Sequence, residues 1–106
     1  MKYRRLKKSG EFQKLFKKGK KVYSQSLCII YTPCAGQCTM GIALSKKHGK
    51  AVVRNRIKRL IRAAYSDTLQ ELIGTYNMVI MPKVGEEYSY SQFKSGLLSC
   101  YKRMEK

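Results

Sequence analysis

The sequence predicts a single-domain α+β protein, a two-layer sandwich with helices laid over one small sheet. Three observations predict it. Apolar residues recur at helical spacing near the start, in the middle and at the end of the chain, and β-branched or aromatic runs lie between them. No Pro/Gly/Ser linker or internal repeat divides the 106 residues. At that length one modest core is possible and two are not.

Residues 1–8 read as a basic arm, mobile rather than structured. Ser9 then offers a helix cap, and Glu11 places an acid in the first turn, where the helix dipole favours one. Phe12, Leu15 and Phe16 follow at i, i+3 and i+4, and Gly19 can close this first helix. Residues 22–32, VYSQSLCIIYT, read as strand with a break near Ser24–Ser26, so they form one strand or two. Pro33–Gln37 is a turn, and residues 39–45 form a further extended run before the basic loop KKHGK. A long helix is expected from Ala51 to about Leu72, stopped by Gly74. Residues 76–81, YNMVIM, are the continuous apolar run of a buried strand. After a loop over Pro82–Glu87, a last helix from Ser89 or Ser91 to Met104 carries Phe93, Leu97, Leu98 and Tyr101 at helical spacing.

Charge is the outlying feature: 23 Lys and Arg face 6 Asp and Glu, a formal net of +17. Self-repulsion at that level disfavours the compact state, so a polyanionic partner is implied. Nucleic acid fits best, because Lys and Arg release counterions when they engage phosphates. No apolar run approaches the roughly 20 residues that span a bilayer. The first ten residues lack the apolar segment of a signal peptide, so the expected location is the cytoplasm, with no membrane partner.

The cations are not evenly spread. On a helical wheel of residues 51–65, Val53, Ile57, Leu60, Ile61 and Ala64 gather on one side, with Tyr65 at its border. Arg54, Lys58 and Arg62 form an i, i+4 row on the other side, filled out by Asn55, Arg56 and Arg59. No acid offsets them, whereas a merely solvated face usually alternates sign. Arg forks and an Asn amide suit phosphate, ribose and base edges. Lys46, Lys47 and Lys50 precede this face and extend it.

The segment AVVRNRIKRLIR resembles the RNR signature of the bacterial ribonuclease P protein subunit. RLKKSGEFQKLFKKG is similar to the family's N-terminal helix, and MGIALSKKHGKAV to its strand and loop leading into the RNR helix. The resemblance covers essentially the whole chain. Its departures are small: Ala63 where a polar or acidic residue often follows the motif, Asn77 where Asp is common, Lys83 where Arg is common, and a one-residue length difference near Ser24–Leu27.

The resemblance implies an α-β-β-β-α-β-α order with a left-handed β-α-β crossover around the RNR helix. It implies a partner, a large catalytic RNA, and a substrate, precursor tRNA, whose 5′ leader is removed with magnesium (Mg2+) held mainly by RNA and substrate. It also implies a leader cleft between the first helix and the sheet. Phe12 and Phe16 on that helix, Tyr31 on the strand it covers, and Lys83 after the last strand are the candidates for it. Aromatic faces beside cations are a general platform for single-stranded RNA.

A protein-borne active site is not expected. Metal-dependent nucleases hold their ions with clustered carboxylates, and Glu11, Asp67, Glu71, Glu86, Glu87 and Glu105 show no such clustering. His48 is a lone base with nothing to orient it. Cys28, Cys34, Cys38 and Cys100 lack the paired spacing of a structural zinc site, so neither catalytic nor metal-ligating residues are assigned. Two rivals share the charge. A ribosomal or other structural RNA-binding protein needs no leader cleft, and a DNA-binding helix-turn-helix protein needs a short helix where this chain has a β-branched run.

Overall fold

The computed structural model describes residues 4–5, 9–85 and 87–104. The elements run β1 (Arg4–Arg5), α1 (Ser9–Lys18), β2 (Lys20–Tyr23), β3 (Leu27–Pro33), β4 (Thr39–Ile42), α2 (Ala51–Thr68), β5 (Tyr76–Pro82) and α3 (Tyr90–Met104). Short 3-10 turns at Lys46–His48 and Leu69–Glu71 bracket α2. The α+β class and the expected order hold, and the break at Ser24–Ser26 makes two strands. Within the segment read as a basic arm, Arg4–Arg5 pairs parallel to β4. The side chains of Ser9 and Glu11, read as cap and first-turn acid, lie outside the described residues.

The sheet order is β1-β4-β5-β3-β2. β3 runs antiparallel to both β2 and β5, whereas β4 and β5 are parallel neighbours joined through α2. Parallel strands need such a crossover, which is why the long amphipathic helix falls between these two.

Register decides which side chains share a face, since directly paired residues point the same way. Leu27, Ile29 and Tyr31 of β3 pair with Pro82, Ile80 and Met78 of β5. Most of this set buries against Ile57, Ile61, Ala64 and Tyr65 of α2 and Phe93, Leu97, Cys100 and Tyr101 of α3, forming the main core. The alternate residues, Ile30 of β3 and Val79 of β5, point to the opposite face and meet Leu15 of α1. The sandwich is thus the sheet with α2 and α3 as one layer, and α1 gives partial cover on the other side. That double cover explains why β3 reads as a continuous apolar run with no polar alternation.

The turns follow from local chemistry. Gly19 lets α1 fold straight onto β3: a Cβ there would lie 2.4 Å from Ile30 Cγ2 and 2.5 Å from Leu15 O. Ser89 Oγ accepts from the Gln92 N–H at 3.2 Å and starts α3. Thr68 Oγ1, near the end of α2, bonds Ala64 O at 2.8 Å and lies 3.0 Å from the Tyr101 hydroxyl, tying α2 to α3 inside the core. No helix among the described residues is long and apolar enough to cross a membrane.

Candidate RNA interface

α2 is two-faced for the reason its spacing predicts: Ile57, Ile61 and Ala64 are fully buried against the sheet layer. Asn55, Arg56 and Arg59 are exposed on the opposite side, and Arg54, Lys58 and Arg62 are partly covered along the flanks. Val53, assigned by its spacing to the apolar stripe, is 38% exposed, and Val52 is 79% exposed. The first turn of α2 projects past the core, so a helical period alone overstates burial there. Arg54 Nε is buried with no hydrogen-bond partner among the described residues. Lys50, the extended residue before Ala51, gives the helix no side-chain cap, and its first turn holds no acid.

Lys46, Lys47 and Lys50 are exposed on the loop that feeds this helix. The loop is held by His48, which the sequence leaves without an orienting partner. In the structure His48 is buried, at 8% exposure. Its Nδ1 accepts from the Ser45 N–H at 3.1 Å, and its Nε2 lies 2.7 Å from Pro82 O. A backbone N–H can only donate and a carbonyl only accept, so the geometry calls for the tautomer that carries its proton on Nε2. Both ring nitrogens are therefore occupied, and His48 is a staple between the basic loop and the end of β5, not a free base. Signals for this were weak: a single His in a Lys/Gly loop looks solvent-borne until β5 is placed beside it.

The second candidate surface lies on the α1 side of the sheet. Phe12 packs, partly buried, against the Leu15–Ile30–Val79 cluster together with Ala43 and Met81. Phe16 is 45% exposed. Met81 pairs with Cys28, which pairs in turn with Tyr23, so these residues share that face; Lys21 shares it through Ile30. Burial pushes the Cys28 thiol up, and the charges of Lys21 and Lys83 oppose that shift. α1 thus carries Phe12 and Phe16 over one side of the sheet, whereas Lys83 stands at the end of β5, its N–H donating to Ser26 O at 2.9 Å.

Tyr31 is not. It is 6% exposed, lies in the core on the α2/α3 side, and its ring meets that of Tyr76 edge-on with centroids 5.4 Å apart. The expectation that it faces α1 is corrected by strand parity: Tyr31 alternates with Ile30, which is the residue under Leu15. Lys21 is the cation that sequence reasoning missed on this side. Its signal was the β2–β3 pairing, which sets Lys21 opposite Ile30.

Comparison with known proteins decides the family. Residues 1–105 match the profile described as Ribonuclease P. The chain belongs to the ribonuclease P protein family. It is 33% identical over 108 residues to the ribonuclease P protein component of Clostridium botulinum strain Langeland, covering 97% of this chain and 96% of that one. It is 37% identical over 102 residues to the ribonuclease P protein component of Bacillus cereus strain 03BB102, covering 93% and 89%. The solved structure of Staphylococcus aureus RNase P protein superposes with a TM-score of 0.83 at 27% identity, covering 98% of this chain and 97% of that one. The ribonuclease P protein component is a subunit of a tRNA-processing ribonucleoprotein, so an RNA partner is implied.

Among the described residues, no three His, Cys, Asp or Glu side chains are grouped so as to hold a metal ion. Cys28, Cys38 and Cys100 are buried thiols.

Proposed function

We propose that this chain docks on the catalytic RNA of ribonuclease P through the outward face of α2 and the Lys46–Lys50 loop. The α1 side of the sheet then receives the 5′ leader of precursor tRNA. The observation that carries the reading is the separation of roles on α2. Ile57, Ile61 and Ala64 are spent entirely on the core, which leaves Asn55, Arg56 and Arg59 exposed to a partner and Arg54, Lys58 and Arg62 along the flanks of the same face. Cations placed on phosphates displace counterions and supply affinity.

In this reading the RNA performs the cleavage with magnesium, acting in the cytoplasm. The protein neutralises phosphate charge near the reacting bond and holds the leader in position, converting a loosely tethered strand into an oriented one. Phe16 offers an exposed ring for a base, and Lys21 and Lys83 offer charge for the adjoining phosphates. Phe12 is largely committed to holding α1 in place.

The test is reconstitution with ribonuclease P RNA at low magnesium, scored for release of the leader. Added protein should raise cleavage and lower the magnesium required, since bound cations screen phosphate repulsion. Protein alone should cleave nothing at any magnesium concentration. Cleavage by RNA-free protein that is lost on a Glu substitution would refute the division of labour. Tight RNA binding with no gain in cleavage would favour a structural RNA-binding role instead.

A further inference from the structure

A groove of about 990 Å³ lies between the β2–β3 turn, the loop after β5, and α3. It is not part of the surfaces described above, apart from Tyr23 and Lys83 at its rim. Its shape is fixed from below by Gly96, where a Cβ would lie 2.4 Å from Ser26 Oγ and 2.8 Å from Ser24 Oγ. The turn is itself held in place. Ser24 Oγ accepts from the Leu27 N–H at 3.2 Å, Ser26 Oγ donates to Gln92 O at 2.9 Å, and Arg103 Nη1 donates to Tyr23 O at 2.7 Å. The groove is therefore preformed, which lowers the ordering cost of filling it.

Its lining mixes apolar side chains, Val84, Tyr88 and Phe93, with hydroxyls and cations, which suits a ligand that is part flat ring and part anion. Ser95 and Ser99, one turn apart on α3, are exposed, and Tyr23, 52% exposed, stands at the rim with its side chain on the Cys28 face. Lys83 and Arg103 stand against a single carboxylate, Glu87, among the described lining residues. Hydroxyls, an open aromatic face and flanking cations are the set by which proteins take single-stranded RNA: phosphates on the charges, a base on the ring. The groove is also continuous with the α1 side. Lys83 lines it at the end of β5, and Tyr23, also in its lining, shares the Cys28 face at the outer edge of the sheet.

We propose that this groove takes the part of the leader that continues beyond the α1 cleft, with a base on Tyr23 and phosphates drawn toward Lys83 and Arg103. The proposal rests on the reading that the leader occupies that cleft. It is tested with holoenzyme reconstituted from Tyr23→Ala or from the double variant Ser95→Glu/Ser99→Glu. Binding is compared for precursor tRNAs with a long leader and with a leader cut to a few nucleotides. Neither change should disturb folding: the Arg103 bond is to the Tyr23 backbone, and the two serines are exposed. Each variant should lose roughly 5- to 100-fold in affinity for the long leader, the effect of one lost stack or of an opposed charge. Affinity for the short leader should match the parent's. Equal losses for both leaders, or no loss for either, would overturn the proposal. Failure of the cleft reading itself is a separate result: short-leader binding would then be insensitive to Phe16→Ala.

Discussion

Phe16→Ala separates a leader contact from a packing contact, because the structure gives the two phenylalanines of α1 different work. Phe12 is packed against the Leu15–Ile30–Val79 cluster, whereas Phe16 leaves 45% of its surface in solvent. Fully burying a Phe side chain contributes about 1.5–3 kcal/mol, so removing the covered part of Phe16 should cost roughly 1 kcal/mol of stability. A base stacked on the ring contributes about 1–3 kcal/mol. At about 1.4 kcal/mol per tenfold, its loss should weaken precursor binding roughly 5- to 150-fold. Mature tRNA lacks the leader and should bind as before. The assay is the ratio of precursor to mature affinity in reconstituted holoenzyme, after a melt shows that the variant is folded. Tyr31→Ala is the contrasting case. It empties part of the main core and should cost about 3 kcal/mol of stability, with no leader-specific loss. An unchanged ratio for folded Phe16→Ala, or a ratio that falls for Tyr31→Ala instead, would refute the assignment of faces.

Three further outcomes are expected. Replacing Arg54, Arg56 and Arg59 together with Ala should weaken RNA binding and reduce the slope of log affinity against log salt by about one unit per lost phosphate contact; an unchanged slope would remove α2 from the interface. Gly19→Ala should destabilise the fold by about 1–3 kcal/mol through overpacking on Ile30 and Leu15, read from denaturant midpoints. Tyr101→Phe should cost about 1 kcal/mol, because Thr68 Oγ1 keeps its bond to Ala64 O. Burial holds the Tyr101 phenol protonated well above its usual range, against a smaller opposing effect of the Thr68 hydrogen bond. A raised folded-state pKa contributes stability that is present below the unfolded value of about 10 and lost as pH rises past it. The parent should therefore lose more stability than Tyr101→Phe above that pH, as thermal melts across the alkaline range would show.

How much of this was legible in the sequence depended on whether a signal was local. The α2 stripe of Ile57, Ile61 and Ala64 is a period of one helix and needs no partner to be seen. The same holds for the Ser24–Ser26 break and for α3 beginning near Ser89. Tyr31 was not legible, because both faces of β3 are apolar. Leu27, Ile29 and Tyr31 go one way, Cys28 and Ile30 the other, and with cover on both sides polarity gives no sign of which is which. Only pairing with β5 assigns them. β1 has no apolar pattern at all; Arg4–Arg5 joins the sheet through backbone bonds along the open side of β4. His48 needed a partner 34 residues away.

That staple bears on how the two proposed RNA surfaces relate. The α2 cations and the leader-side cations lie on opposite faces of one sheet, and a thin domain could present them at variable angles. Here β4 and β5 are parallel, so the loop after β4 and the loop after β5 leave from the same end. The first carries Lys46, Lys47 and Lys50 into α2, and the second begins with Lys83. His48 joins them, from Ser45 on one loop to Pro82 O at the close of the other. Tyr88 stands near the imidazole and stacks on Phe93, carrying the contact down into α3. A chain with a net charge of +17 gains from spreading its cations apart. Holding these two sets at one end of the sheet opposes that tendency, and a buried, doubly bonded ring is the kind of constraint able to do so. The cations are then preset for a single extended polyanion instead of being gathered by it.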